Sequence, residues 1–174
     1  MIVNIGRLMG RSFDEETLKG IHQQSGGHPF VARQLASLLT SKLAAKSGST
    51  IRWSEAHKYI ERPFTYSGVL KDYFEQNIWG DMENRSFHSG MAILRTLACN
   101  EEAHGYLGDK TLFGLLPDYK TGDLVDSILW LESVGILESK EETSGEHLYR
   151  IQLPLLSQFI RKDMTPKEIH QWQI

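Results

Sequence analysis

A chain of 174 residues with 40% apolar content holds one ordinary domain or two small ones and carries enough apolar surface for a core, which excludes a disordered chain. Its net charge of −3 and pI near 6.2 argue against a nucleic-acid coat and against a membrane-surface protein. One cysteine, Cys99, cannot form an internal disulfide; with no membrane-length apolar run and no basic leader ahead of one, the expected compartment is the cytoplasm.

Taken in order, Ile2, Val3 and Ile5 read as a short extended lead-in. Ser12-Phe13-Asp14-Glu15 reads as a capping box, the Ser12 hydroxyl covering the first turn while Glu15 reaches back. Leu18 and Ile21 share a face of the helix that follows, and Gly26-Gly27 stops it, since glycine accepts the left-handed conformation that ends helices. His28-Pro29 restarts the chain, with Pro29 suited to the first helical position. Val31, Leu35, Leu38, Leu39 and Leu43 then recur at helical spacing, predicting an amphipathic helix to about Lys46. Ser47-Gly48-Ser49-Thr50 is loop chemistry. Ser54 is placed to cap a third helix running to Arg62, before Pro63. A fourth spans Ser67 to Trp79 and buries Leu70, Phe74 and Ile78 at i, i+4, i+8 spacing.

The second half changes rhythm. Phe87, Met91, Leu94 and Leu97-Ala98 outline a helix; Lys110 to Leu116 make a short one stopped by Pro117. Thr121-Gly122-Asp123 opens a longer helix carrying Leu124, Ile128, Leu131 and Val134, closed by Gly135. Ile136–Ser139 and Leu148–Ile151 predict two strands joined by the polar turn Glu141–Glu146. A last helix runs from Pro154 to Arg161. Helix, helix, helix, strand, turn, strand is the order of a winged helix-turn-helix. The expected fold is therefore mainly α, a helical bundle over residues 1–82, a winged helix with a two-stranded β wing over 83–164, and a tail over 165–174.

The sharpest local signal is Ser25-Gly26-Gly27-His28-Pro29-Phe30 with Arg33. A helix beginning at Pro29 presents unsatisfied N–H groups and a positive dipole end to an anion. His28 and Arg33 add donors, and Arg33, about 200° around the helix from Leu35, points away from the apolar stripe. The same turn also reads simply as a tight connection between two helices. Charge is unevenly spread: residues 1–66 carry nine Lys/Arg against five Asp/Glu, and residues 86–162 carry seven against eleven. A basic first third suits an anionic ligand or partner, and the acidic later part argues against wrapping DNA.

The run Gly6-Arg7-Leu8-Met9-Gly10-Arg11 through Gly26-Gly27-His28-Pro29-Phe30-Val31-Ala32-Arg33-Gln34-Leu35 resembles the lid of bacterial AAA+-like and STAND-type P-loop ATPases. In those families a helix ends in a Gly-Gly-x-Pro turn and the next helix approaches the bound nucleotide. Asp72–Trp79 ahead of Ile93–Ala98 resembles the family's bridge into a winged helix, and Leu131–Leu137 the end of that domain's third helix. The resemblance implies nucleotide contact by Gly26, Gly27, His28, Pro29 and Arg33, with Pro29 near the adenine and Arg33 sensing the γ-phosphate. It implies ATP or ADP only in the context of a P-loop domain of the same or a longer chain. The acidic charge of the later part suits a winged helix that contacts protein or docks autoinhibitorily on the basic lid or the P-loop domain.

No G-x-x-x-x-G-K-[ST] sequence occurs. Gly6-Arg7-Leu8-Met9-Gly10-Arg11-Ser12 is one residue short of it and has Arg for Lys, too little loop to turn every N–H towards phosphates. The chain alone is thus expected not to be an enzyme, with no catalytic residues. The seven histidines form no H-x-x-x-H pair or Cys/His cluster, so no metal is expected. Cys99 beside His104 reads as a buried structural thiol rather than a nucleophile. Asp14-Glu15-Glu16 reads as charge complementing a helix dipole, and Trp53, Trp79, Trp130 and Trp172 as packing residues. The winged helix's third helix offers Asp123, Asp126 and Glu132 with no Lys or Arg inside it, Lys120 standing just before. Lys140 and Arg150 in the wing are matched by Glu138, Glu141, Glu142 and Glu146. DNA readout is therefore disfavoured. The expected function is nucleotide sensing by a lid, relayed through a winged helix that contacts protein; the alternatives are a DNA-binding transcriptional regulator and a non-enzymatic adaptor.

Overall fold

The computed structural model of the protein describes residues 12–43, 49–100 and 105–163. These are mainly helical, with two small β-sheets. They divide into two compact units, Met1–Tyr73 and Phe74–Ile174. The lead-in at Ile2–Ile5, the Gly6–Arg11 portion of the lid-like pattern, the helix end near Lys46, His104, His170, Trp172 and the tail at 165–174 lie outside the described residues.

In the first unit, β1 (Ser12–Phe13) precedes α1 (Glu15–Ser25) and α2 (Pro29–Lys42). Next come β2 (Thr50–Ile51), α3 (Trp53–Glu61), α4 (Pro63–Tyr66) and α5 (Gly68–Asp72). The cap expected of Ser12 belongs to Asp14. Its carboxylate accepts the Thr17 N–H at 2.8 Å, while Ser12 is held in β1, paired in parallel with Thr50 of β2. Their hydroxyls lie 2.7 Å apart. The loop chemistry around Thr50 therefore ends in a strand. The other carboxylate oxygen of Asp14 accepts the Trp53 N–H at 3.1 Å. This is why α3 starts at Trp53 without the cap expected from Ser54. Pro63 does not only end α3; it occupies the first turn of α4, where its missing N–H costs nothing.

The core of this unit is the apolar face of α2, where Val31, Leu35, Ala36 and Leu39 are fully buried, with Ile21, Ala56, Ile60 and Leu70 also inside. Gly20 of α1 lies against Trp53: a Cβ there would sit 2.3 Å from Trp53 Cζ3. The α1 to α3 contact needs a glycine at this point.

The second unit opens with a π-helix, Tyr73–Trp79 by its full span, where a continuous α-helix was expected. Phe74, Ile78 and Trp79 are all buried, and the wider π turn gathers them on a narrower arc than an α-helical pitch would. Phe74 stacks on Phe159 with ring centroids 5.9 Å apart, so the seam falls at Tyr73/Phe74 and the end of the expected fourth helix belongs to this unit. The order then runs α6 (Gly80–Asn84), α7 (His88–Cys99), β3 (Leu107–Gly108), α8 (Asp109–Gly114) and α9 (Thr121–Ser133). It closes with β4 (Leu137–Glu141), β5 (His147–Ile151) and α10 (Pro154–Asp163). Against the expected two strands the sheet has three, antiparallel, in the order β3-β5-β4. Cys99, expected to be buried, is exposed at the last residue of α7.

Helices α7, α9 and α10 and the sheet enclose a core that includes Ile93, Leu94, Leu107, Leu112, Leu124, Leu131, Leu155 and Leu156. Each fully buried Leu or Ile contributes about 1.5–3 kcal/mol of transfer free energy. Helix α9 ends in a paired closure, Gly135 N–H to Glu132 O at 2.9 Å and Ile136 N–H to Leu131 O at 2.9 Å, with Gly135 at φ +70°. This is the Schellman arrangement that satisfies orphan carbonyls. It turns the chain directly into β4.

Candidate functional site

The Gly-Gly-His-Pro turn is built by local chemistry. Helix α1 closes as α9 does: Gly26 N–H donates to Gln23 O and Gly27 N–H to His22 O, both at 3.3 Å. Gly26 and Gly27 stand at φ +54° and +78°, two successive left-handed residues that only glycine adopts without strain. His28 is the N-cap of α2. Its Nδ1 accepts the Val31 N–H in a long bond of 3.5 Å, so the ring proton belongs on Nε2, which faces the Tyr73 hydroxyl at 3.5 Å. Burial lowers the His28 pKa and raises that of Tyr73. The imidazole is thus a neutral cap.

Sequence reasoning placed His28 among the donors to a ligand. The structure commits its Nδ1 to the helix cap and leaves Nε2 beside Tyr73. The first-turn amides are also partly used, since Ala32 N–H donates to His28 O at 2.9 Å and Pro29 has none. Phe30 leans on Tyr73, with centroids 4.2 Å apart. Tyr73 is therefore a third aromatic member of this turn. It lies 45 residues from His28, so no local pattern could have assigned it there.

Pro29 and Arg33 are both exposed, as is Gly27, while Gly26 and His28 are partly covered. Four residues apart on α2, Pro29 and Arg33 share one outward face, opposite the buried Val31, Leu35 and Leu39. The structure thus brings Gly27, Pro29 and Arg33 to one open surface at the start of α2. In Asp14-Glu15-Glu16, Asp14 is the cap itself, and Glu15, expected to reach back to the Ser12 turn, pairs forward with Lys19 at 2.8 Å.

In the second unit the outward face of α9 carries Val125 and Leu129, 41% and 58% exposed. Asp123 and Asp126 are exposed and Glu132 is half-covered; among the described residues none of the three is ion-paired. Across the sheet, Tyr106, Glu138 and Arg150 form a closed cluster. The Tyr106 hydroxyl donates to Glu138, which also pairs with Arg150. Lys140 Nζ and the Arg150 guanidinium stand 4.2 and 4.7 Å from the Tyr106 ring centre. Burial raises the Glu138 carboxyl's pKa, but the Tyr106 and Arg150 hydrogen bonds and the Arg150 and Lys140 charges outweigh it and the net shift is downward. The two basic residues of this sheet are thus engaged in the protein itself.

Among the described residues no three His, Cys, Asp or Glu side chains converge as a metal site, and no helix is long and apolar enough to cross a membrane. Neither the protein-family models, nor the curated proteins, nor the solved structures contain a match to this chain.

Proposed function

We propose that this chain is the regulatory lid and winged-helix portion of a signalling-type P-loop ATPase of the AAA+-like or STAND kind, acting in the cytoplasm. The observation that carries the reading is the shared exposure of Pro29 and Arg33 on one face at the start of α2. A nucleotide held by a P-loop domain would meet the proline with its base and the guanidinium with its phosphates, and no core contact need be broken for either. In this reading ATP or ADP is bound only with that domain present, and closure of the lid follows from contacts made in one nucleotide state and not the other.

The order α7, β3, α8, α9, β4, β5 with a β3-β5-β4 sheet supports a winged helix as the relay. Its third helix, α9, presents Val125 and Leu129 between carboxylates. Such a face suits protein contact and repels a phosphate backbone.

The test is affinity purification of the chain from its source cells with ATP or ADP present, followed by mass spectrometry. A co-purifying protein that carries a Walker A sequence, retained in one nucleotide state, is the expected result. Turnover of ATP by the pure chain, or a partner set without any P-loop protein, would overturn the reading.

A further inference from the structure

Helix α9 has a second character besides its packing role. Its inward face buries Leu124, Ile128 and Leu131. On the opposite side Val125 and Leu129, one turn apart, form an apolar strip in water. Acid flanks the strip on both sides: Asp126 follows Val125 around the helix, and Glu132 stands on the other edge. Between Thr121 and Ser133 there is no Lys or Arg. Exposed valines and leucines are ordinary when scattered, but an i, i+4 pair framed by carboxylates that make no ion pair among the described residues is the pattern of a surface that lays an amphipathic helix along itself.

We infer that this face of α9 binds a cationic amphipathic helix of a partner protein. The inference rests on the reading of the second unit as protein-facing. Two apolar residues of the partner, at i and i+4 or i+3, lie on Val125 and Leu129. Lys or Arg on either side of that seam reach Asp126 on one edge and Glu132 on the other. Charge selects the partner and steers its approach, and the leucine supplies the anchor. An anionic helix or a nucleic acid meets like charge on both edges.

The experiment is a fluorescence-anisotropy titration of the full chain against a labelled helical peptide of Leu and Lys, with Leu at i, i+4 spacing, and against its counterpart with Glu for every Lys. The Lys peptide binds and the Glu peptide does not. Leu129→Ser and Asp126→Lys each weaken binding about tenfold or more. Both positions are exposed, so both variants keep the wild-type melting temperature. Glu141→Lys, an equal charge change in the β4–β5 region, leaves binding within about twofold.

Equal binding of both peptides would overturn the inference. So would equal loss on Glu141→Lys, or insensitivity to Leu129→Ser. Self-association of the chain that Leu129→Ser abolishes would give the face to a second copy instead, and tight, salt-sensitive binding of duplex DNA by the wild-type chain would give the domain to nucleic acid. Failure here with nucleotide-dependent capture of a P-loop protein intact would remove only the α9 assignment.

Discussion

The carboxylate of Asp14 ties two helix starts together: Oδ1 accepts the Thr17 N–H of its own helix, and Oδ2 accepts the Trp53 N–H at 3.1 Å, 39 residues away. Asp14 N–H also donates to Ile51 O at 3.0 Å. One residue thus caps α1 and α3 with its carboxylate and extends the β1–β2 pairing with its backbone N–H. Burial pushes its pKa up, but the hydrogen bonds from Thr17 and Trp53 and the nearby Arg52 charge outweigh burial, and the net shift is downward.

Removing this carboxylate is expected to cost more than one ordinary cap. Asp14→Ala should destabilise the chain by about 2 kcal/mol, against about 1 kcal/mol for a single N-cap. Asp14→Asn keeps an acceptor and should cost less. Because the folded-state pKa lies below the unfolded one, the ionised group's contribution is complete above the ordinary carboxylate range and is lost as pH falls through the folded value. Urea denaturation at several pH values checks both points: the gap between wild type and Asp14→Asn should narrow in acid.

Gly20→Ala should be destabilising although it improves helix propensity. The propensity gain is about 1 kcal/mol, while overpacking a fitted contact costs about 1–3 kcal/mol. The added methyl meets the Trp53 ring, with Cζ3 at 2.3 Å and Cη2 at 3.0 Å. A lower melting temperature for Gly20→Ala, relieved by combining it with Trp53→Leu, is the expected outcome. A higher one would show that the ring gives way freely.

The cap at His28 predicts a further pH effect. Its folded pKa is lowered by burial, and protonation would remove the Nδ1 lone pair that receives the Val31 N–H. Stability from this site is present above the ordinary imidazole pKa and is lost as pH falls below it. His28→Asn, which caps without titrating, should flatten the dependence of melting temperature on pH between about 7 and 5. His28→Ala should lower stability by about 1 kcal/mol at neutral pH, and that loss should shrink as pH falls.

The turn itself was legible in the sequence because its determinants are contiguous. Gly26-Gly27 demands left-handed backbone, Pro29 demands a helix start, and both lie within the segment they shape. The helix order and the stripes at Val31, Leu35 and Leu39 were legible for the same reason. What escaped depends on distant partners. Ser12 and Asp14 are both good caps by type, and only Thr50 and Trp53, arriving from across the chain, decide which one does the capping. The third strand has two residues and no periodicity of its own; it is a strand because β5 hydrogen-bonds to it. Leu70, Phe74 and Ile78 fit an α-helix as well as a π-turn, and no local pattern distinguishes the two. Arg33 stands on the outward face that the helical periodicity predicts and Pro29 at the helix start that its chemistry predicts, whereas Tyr73 packs on the turn with no sequence signal.

The central claim concerns the exposed pair Pro29 and Arg33, and the most direct measurement is the affinity of the chain for the P-loop protein it co-purifies with, in ATP, in ADP and without nucleotide. A lid that senses the γ-phosphate through Arg33 should bind differently in ATP and ADP, and Arg33→Ala should abolish most of that difference. Since Arg33 is exposed, the variant should keep the wild-type melting temperature. The same affinity in all three states, unchanged by Arg33→Ala, would contradict the account.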